Sequence, residues 1–339
     1  MADDKNQLNE AQLAQYLEAK IPGFQGPLSA KKFPGGQSNP TYLLTAVSGK
    51  YVLRRKPPGV LLPSAHAVDR EFRVIDALAK TKVPVAQALH LCEDDAVIGS
   101  AFYVMSFVDG NIYWQATLPE LTADQRTPVY HQLIDTLAKI HNVNLAKVGL
   151  SDYGKPGSYF ARQIDRWTKQ YRQSETDVLN NMEALMEWLP NNIPPDDKRI
   201  SLIHGDYRLD NLIFSRENQQ ILAVLDWELS TLGHPFADIA YFCMCLRLPT
   251  DSYISGLAGL NRRELGIPEE QELLDRYCKA IDADRIEHWN FYLAFSFFRL
   301  AAIVQGVKKR ALQGNASNEQ ALKVGAMTGP LAEMAVDLI

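Results

Sequence analysis

Residues 202–214 read LIHGDYRLDNLIF. A strand-like fragment, Leu202–Ile203, runs into five polar groups, His204, Asp206, Arg208, Asp210 and Asn211, and the apolar pattern resumes at once in Leu212–Phe214. The surroundings make this break restrictive. Beyond about residue 120 the periodicity is helical, with helices expected over 122–142, 158–188, 234–248, 269–281, 284–312 and 317–338. The exception is 200–232, where ISLIHGDYRLDNLIF and QILAVLDWELSTLG predict two strands joined by a polar loop. A helical region must therefore accommodate an embedded hairpin whose connecting loop is crowded with polar groups.

Ahead of this region the texture is different. A short helix is expected over 9–20, with Leu13, Tyr16 and Leu17 on one face and Pro22-Gly23 ending it. LSAKKFPGG, NPTYLLTAVSG and KYVLRRKPPG then read as strands, with Ser48-Gly49 as a hairpin turn. A helix over 64–80 follows, with Ser64 as its cap, and QALHLCED and SAFYVMSF add two more strands before a break at FVDGN. The pattern predicts an α+β chain. Residues 1–108 form a small antiparallel sheet with one helix, and 109–339 form a larger, mainly helical part, the cut falling near 108–110.

The polar break also carries chemistry. His204, Asp206 and Asn211 have the spacing HxDxxxxN, and Asp226 follows 15 residues later at the end of the apolar run VLD. Phosphoryl transfer from ATP needs one carboxylate to orient and deprotonate the attacking hydroxyl. It also needs an amide and a second carboxylate to hold magnesium against the phosphates. Magnesium prefers hard oxygen ligands and takes few of them from protein. Asp206, Asn211 and Asp226 supply those types, although HGD alone is equally a turn with a capping aspartate.

The same chemistry asks for a cation on a strand, paired with a glutamate on the next helix. In YVLRR, strand alternation puts Val52 and Arg54 on one face and Leu53 and Arg55 on the other. Glu71 stands three residues after Val68 and four before Ile75, on the inward stripe of its helix. A carboxylate there wants a partner, which Arg54 would provide, unless Glu71 snorkels to water. Arg55 takes the role if the register shifts by one. Gly35, Gly36, Gln37, Ser38 and Asn39 could cover phosphates with backbone N–H groups, or form an ordinary hairpin turn.

Composition narrows the partners. Net charge is −5 and no long basic run occurs, which argues against nucleic acid. The four cysteines, Cys92, Cys243, Cys245 and Cys278, include no CxxC pair and read as buried thiols in a reducing cytosol. MADDKNQLNEAQ lacks the features of a secretory signal. The run 289–304 is too short for a membrane span, carries Arg299 and reads as a buried helix. A cytoplasmic protein without a membrane span, acting on a small molecule or another protein, is expected.

HGDYRLDNLIF and VLDWELSTLGHPFADIAYF resemble the two signature blocks of the aminoglycoside phosphotransferase/choline kinase family. YVLRRKPPGVLLPSAHAVDREFRVIDAL, VPVAQALHLCEDDAVIG and FYVMSFVDG are similar to the subgroup found fused to, or beside, acyl-CoA dehydrogenases. The resemblance covers about residues 25–310. It implies a bilobal, protein-kinase-like fold and an ATP- and magnesium-dependent small-molecule kinase. Asp206 would be the catalytic base, braced by His204. Asn211 and Asp226 would bind magnesium, and Asp238 would support the catalytic loop. Arg54 would clamp phosphates, and the segment from Met105 through Phe107 to Val108 would meet adenine. Glu228, two residues past Asp226 and on the same face if the strand continues, could reach a second metal or simply face solvent. The subgroup implies a hydroxyacyl-CoA acceptor in fatty-acid catabolism and a functional link to an acyl-CoA dehydrogenase. The basic segment KPGSYFARQIDRWTKQYRQ suits such an anionic acceptor, or is a solvated helix with Phe160, Ile164, Trp167 and Tyr171 as its core stripe. A kinase for an aminoglycoside, a choline-like base or a sugar, and a nucleotide-binding scaffold without turnover, are the alternatives.

Overall fold

The computed structural model describes residues 8–34, 39–57, 66–155, 157–313 and 320–339. In chain order the first elements are α1 (Glu10–Lys20), β1 (Leu28–Lys32), β2 (Thr41–Ala46), β3 (Gly49–Arg55), α2 (Val68–Leu78), β4 (Ala88–Cys92) and β5 (Phe102–Ser106). Then come α3 (Ala123–His141), α4 (Tyr159–Ser174), α5 (Asn180–Asn191), β6 (Ser201–Ile203), β7 (Leu212–Phe214), β8 (Ile221–Val224) and β9 (Thr231–Gly233). The chain ends in α6 (Phe236–Leu246), α7 (Glu270–Ala280), α8 (Trp289–Leu312), α9 (Gln320–Ala326) and α10 (Thr328–Val336).

Among the described residues the chain divides into two compact units. The first takes the chain up to Ile112, then Ala146–Leu150 and Asn211–Ser230; the second takes Tyr113–Leu145, Ser151–Asp210 and Thr231–Ile339. The cut expected from the sequence was near 108–110. The return of 211–230 to the first unit rests on backbone pairing. Asn111 and Phe214 exchange two hydrogen bonds of 2.8 Å, and the Val224 N–H donates to Pro84 O at 2.9 Å. Gly110 permits this approach, because a Cβ there would overlap Ile213 and the Phe214 carbonyl.

The first unit is built on a five-stranded antiparallel sheet of order β1-β2-β3-β5-β4. Helix α1 is capped by Asn9, whose side chain accepts from the Gln12 N–H at 3.1 Å. It buries Leu13 and Leu17 with Phe24, Leu28, Tyr42, Leu44, Leu53, Phe102 and Val104. Alternation along β3 sends Leu53 into that core and leaves Arg54 for the other face. Helix α2 buries Val68, Glu71, Val74, Ile75 and Leu78, so a glutamate sits in an otherwise apolar stripe.

The second unit is helical around two short strands, β6 and β9, which pair antiparallel with Ser201 opposite Gly233 and Ile203 opposite Thr231. The expected two-strand hairpin over 200–232 is therefore four short strands in two pairs, β6–β9 and β7–β8. The expected helix over 158–188 is broken after Ser174, where Thr176, Asp177 and Val178 favour non-helical backbone and the Ser174 hydroxyl turns back onto Gln170 O at 2.9 Å. The helix expected over 317–338 is likewise two, α9 and α10. Helix α8 packs against α4, α6, α9 and α10. At 24 residues it is longer than the run foreseen, and by length and composition it could cross a membrane. Its most apolar window is nonetheless 83% buried within the protein, as expected of a core helix. All four cysteines are free and buried.

Candidate active site

In the first unit the side chains converge on Arg54. Its Nε lies 3.0 Å from Glu71 Oε2, and its Nη2 lies 2.7 Å from Asp226 Oδ1 and 3.3 Å from Glu228 Oε2. Arg55, the alternative phosphate cation, points to the opposite face and donates through Nε to Ser100 Oγ at 2.9 Å. Glu71 is almost fully buried. Its Oε1 accepts from Asn39 Nδ2 at 2.7 Å, and its Oε2 accepts from the Tyr103 hydroxyl at 3.2 Å. Burial pushes the Glu71 carboxyl up to about 7 against the pull of Arg54, and the charges of Asp226 and Glu228 add to the rise. Burial works against the Arg54 charge, but Asp226 and Glu71 outweigh it and hold the guanidinium above its ordinary range.

Asn211 and Asp226 stand at the same end of the β7–β8 hairpin. Leu212 pairs with Val224 there, and the Leu225 N–H donates to Asn211 O at 2.8 Å. Asp226 has φ 60°, a left-handed backbone unusual for a residue with a side chain, and it begins a 3-10 turn over Trp227–Leu229. The strand does not continue through Glu228, so the expected same-face geometry does not apply. The turn instead brings Glu228 beside Asp226 at the same arginine.

Met105 is buried in β5, and Phe107 is half-buried with the Lys50 ammonium 5.5 Å from its ring centroid. Gly35, Gly36, Gln37 and Ser38 lie outside the described residues. Asn39, expected in the same phosphate-covering loop, is instead buried, its amide committed to Glu71 and 2.9 Å from His66 Nδ1.

In the second unit, β6 feeds His204, Gly205 and Asp206. Gly205 has φ 86°, a conformation glycine adopts without a Cβ penalty. His204 is fully buried, and its Nδ1 accepts from the Asp206 N–H at 3.2 Å. Asp238, at the first turn of α6, accepts from the His204 N–H at 2.7 Å and the Gly205 N–H at 2.9 Å. His141 Nε2 is 3.3 Å from Asp238, and His141 Nδ1 is 2.5 Å from the Tyr277 hydroxyl. Burial alone would raise the Asp238 carboxyl. The hydrogen bond and charge of His141, with His204 and the Gly205 N–H, hold it below the usual range.

Three contributors to this loop were not singled out from the sequence. His141 and Tyr277 lie far away along the chain, and neither stands in a motif. Arg299 donates through Nη2 to the Gly205 carbonyl; a lone arginine in an apolar helix was the available signal. Arg208 flanks Asp206, with Nε 3.2 Å from Asp206 Oδ1 and Nη2 3.2 Å from Asp210 Oδ2. The basic segment resolves into a core stripe, with Phe160, Ile164, Trp167 and Tyr171 buried. Two of its cations are already engaged, Lys169 with Asp165 at 2.8 Å and Arg172 with Glu183.

The chain is similar to known proteins along most of its length. Residues 29–280 match the model of a family described as "Phosphotransferase enzyme family". Over 327 residues the chain is 48% identical to mouse acyl-CoA dehydrogenase family member 10, covering 96% of this chain and 30% of the relative. The chain spans under half the length of the curated relatives it matches. A crystal structure from Ralstonia eutropha JMP134, provisionally assigned as an aminoglycoside phosphotransferase, is 46% identical with a TM-score of 0.89 over 98% of each chain. Spectinomycin phosphotransferase APH(9)-Ia, solved with ADP and spectinomycin, shares the fold at 14% identity and a TM-score of 0.64, over 97% of this chain and 98% of that one.

Proposed function

The chain belongs to the phosphotransferase enzyme family, and from that premise we propose that it transfers the γ-phosphoryl group of ATP to a hydroxyl of a small molecule. The observation that carries this reading is the convergence of Glu71, Asp226 and Glu228 on the single guanidinium of Arg54. Arginine is a fixed bidentate donor suited to phosphate oxygens, and Glu71 holds it in place. Solved with ADP, the spectinomycin phosphotransferase of the same fold supports a nucleotide as co-substrate.

The donor set suits magnesium. Among the described residues no group of three or more His, Cys, Asp or Glu side chains is spaced to hold a metal ion. Asn211 and Asp226 offer oxygen atoms at one hairpin end, with Glu228 beside them, which fits an ion that keeps most of its water. When bound, magnesium would neutralise charge on the phosphates. Asp206 orients the acceptor hydroxyl and takes its proton. His204, Asp238 and Arg299 fix the backbone that carries it.

For the acceptor we propose a hydroxyacyl-CoA, in functional association with an acyl-CoA dehydrogenase. The support is the subgroup resemblance and the name of the mouse relative. Buried free thiols suit a reducing, cytoplasmic setting. A second reading, a nucleotide-binding scaffold without turnover, is favoured by one observation: Arg54 already occupies Asp226 and Glu228. ADP release, with product mass, distinguishes them across 4-hydroxyacyl-CoAs, free hydroxy acids, choline and kanamycin. Turnover that falls about a hundredfold or more in Asp206→Asn supports the kinase. ATP binding without ADP release from any acceptor supports the scaffold, and turnover restricted to another alcohol discards the acyl-CoA.

A further inference from the structure

The second unit contains a cavity of about 380 Å³ that the transfer chemistry leaves unexplained. It lies between the start of α4, the segment 193–200 and strand β9, with Tyr292 of α8 behind it. Four cations line it, Lys155, Arg162, Lys198 and Arg199, against one carboxylate, Asp196. Arg199 shares Asp197 at 3.1 Å. The ammonium groups of Lys155 and Lys198 make no ion pair among the described residues, and both residues are exposed. The interior is aromatic: Phe160 lies 5.2 Å from Tyr292 between ring centroids, and His234 stacks on Tyr292 at 5.8 Å and 17°. Gly233 lets β9 lie against the Tyr159 ring, since a Cβ there would overlap it.

Excess positive charge around flat rings suits an organic phosphate that carries a ring of its own. The register adds a length. Gly233 at the cavity floor pairs with Ser201, and Asp206 lies five residues further along the same chain. At roughly 3.3 Å per residue Ser201 lies at most about 17 Å from Asp206, and the step across the strand pair to Gly233 adds about 5 Å. A long molecule with a phosphorylated head in the cavity and a hydroxylated tail could span that length to Asp206.

We infer that this cavity seats the nucleotide end of a long anionic acceptor, phosphates on Lys155, Arg162, Lys198 and Arg199 and the base against Tyr159 and Tyr292. The inference rests on the acceptor reading above and gives it a location. The test is titration calorimetry on the full chain with coenzyme A as probe, with the nucleotide site saturated by AMP-PNP and magnesium. Lys155→Glu and Lys198→Glu should each weaken coenzyme A about tenfold or more while AMP-PNP affinity stays within about twofold. Undiminished coenzyme A binding in both variants overturns the inference. So does displacement of coenzyme A by AMP-PNP, or equal competition by inorganic pyrophosphate, which would mark a general anion patch. Failure of the kinase reading shows elsewhere, as ADP release unaffected by Asp206→Asn. ADP release with a short alcohol and no coenzyme A binding would sink the cavity assignment alone.

Discussion

Arg54 answers to three carboxylates, and each partner was legible to a different degree. Strand alternation placed Arg54 on the face opposite Leu53, and the helical stripe placed Glu71 inward, so their 3.0 Å pair follows from two periodicities. Asp226 and Glu228 join them through a left-handed residue and a tight turn, which no periodicity encodes. Removing the guanidinium should be costly, because Glu71 would remain buried among like charges. Arg54→Ala is expected to lose about 3–5 kcal/mol in urea unfolding at pH 8, and less at pH 5, where Glu71 takes up a proton. Equal losses at both pH values would contradict this. The raised Glu71 carboxyl also sets a pH dependence for the parent protein. Its folded value of about 7 lies above the ordinary 4.5, so the native state holds the proton more tightly than the unfolded chain. That contribution is fully present below pH 4.5 and is lost as pH rises through 7, a fall on the order of 3 kcal/mol. Glu71→Gln has no such proton to lose. Its melting temperature relative to the parent should therefore rise between pH 5 and pH 8, and a constant difference would refute the assignment.

The element that carries Asp206 is a three-residue strand followed by a loop, too short to hold itself in place. Its order comes from α6 and α8. Asp238 accepts two successive loop N–H groups, and Arg299 holds the Gly205 carbonyl. The motif HxDxxxxN revealed the loop, and HPFADIA revealed its aspartate. The His141–Tyr277 support behind Asp238 was not legible, since it joins α3 to α7 across 136 residues of sequence. Asp238→Ala leaves two buried N–H groups without acceptors, each worth roughly 1–3 kcal/mol. A melting temperature lower by several degrees is expected, together with a kcat loss of about a hundredfold and a smaller change in KM for ATP. A purely structural aspartate would lower the yield of folded protein while leaving kcat per folded molecule intact.

At the scale of the whole molecule, unit membership does not follow chain order. The boundary near 108–110 was drawn where strand texture stops and helical texture begins. The return of 211–230 has no such mark in the sequence, because it depends on Asn111 meeting Phe214 and on Val224 meeting Pro84, contacts that no local pattern announces. The same return brings Asp226 and Glu228 to Arg54. The segment 146–150 belongs there too, its Gly149 carbonyl accepting from Arg73 Nη2 at 2.8 Å. A fragment ending at Ile112 would therefore retain all five strands of its sheet but lose the β7–β8 hairpin, two of Arg54's three carboxylates and the cover over Asn111. Exposed backbone and an under-neutralised arginine both favour the unfolded chain. The isolated 1–112 fragment is expected to melt broadly by far-ultraviolet circular dichroism, at a lower temperature than the full chain. Adding residues 211–230 through a flexible linker should restore a cooperative transition, because the missing groups are then available at high effective concentration. A fragment that already melts sharply at the full chain's temperature would show that the hairpin contributes little to the unit's stability, and would confine its importance to Asn211, Asp226 and Glu228.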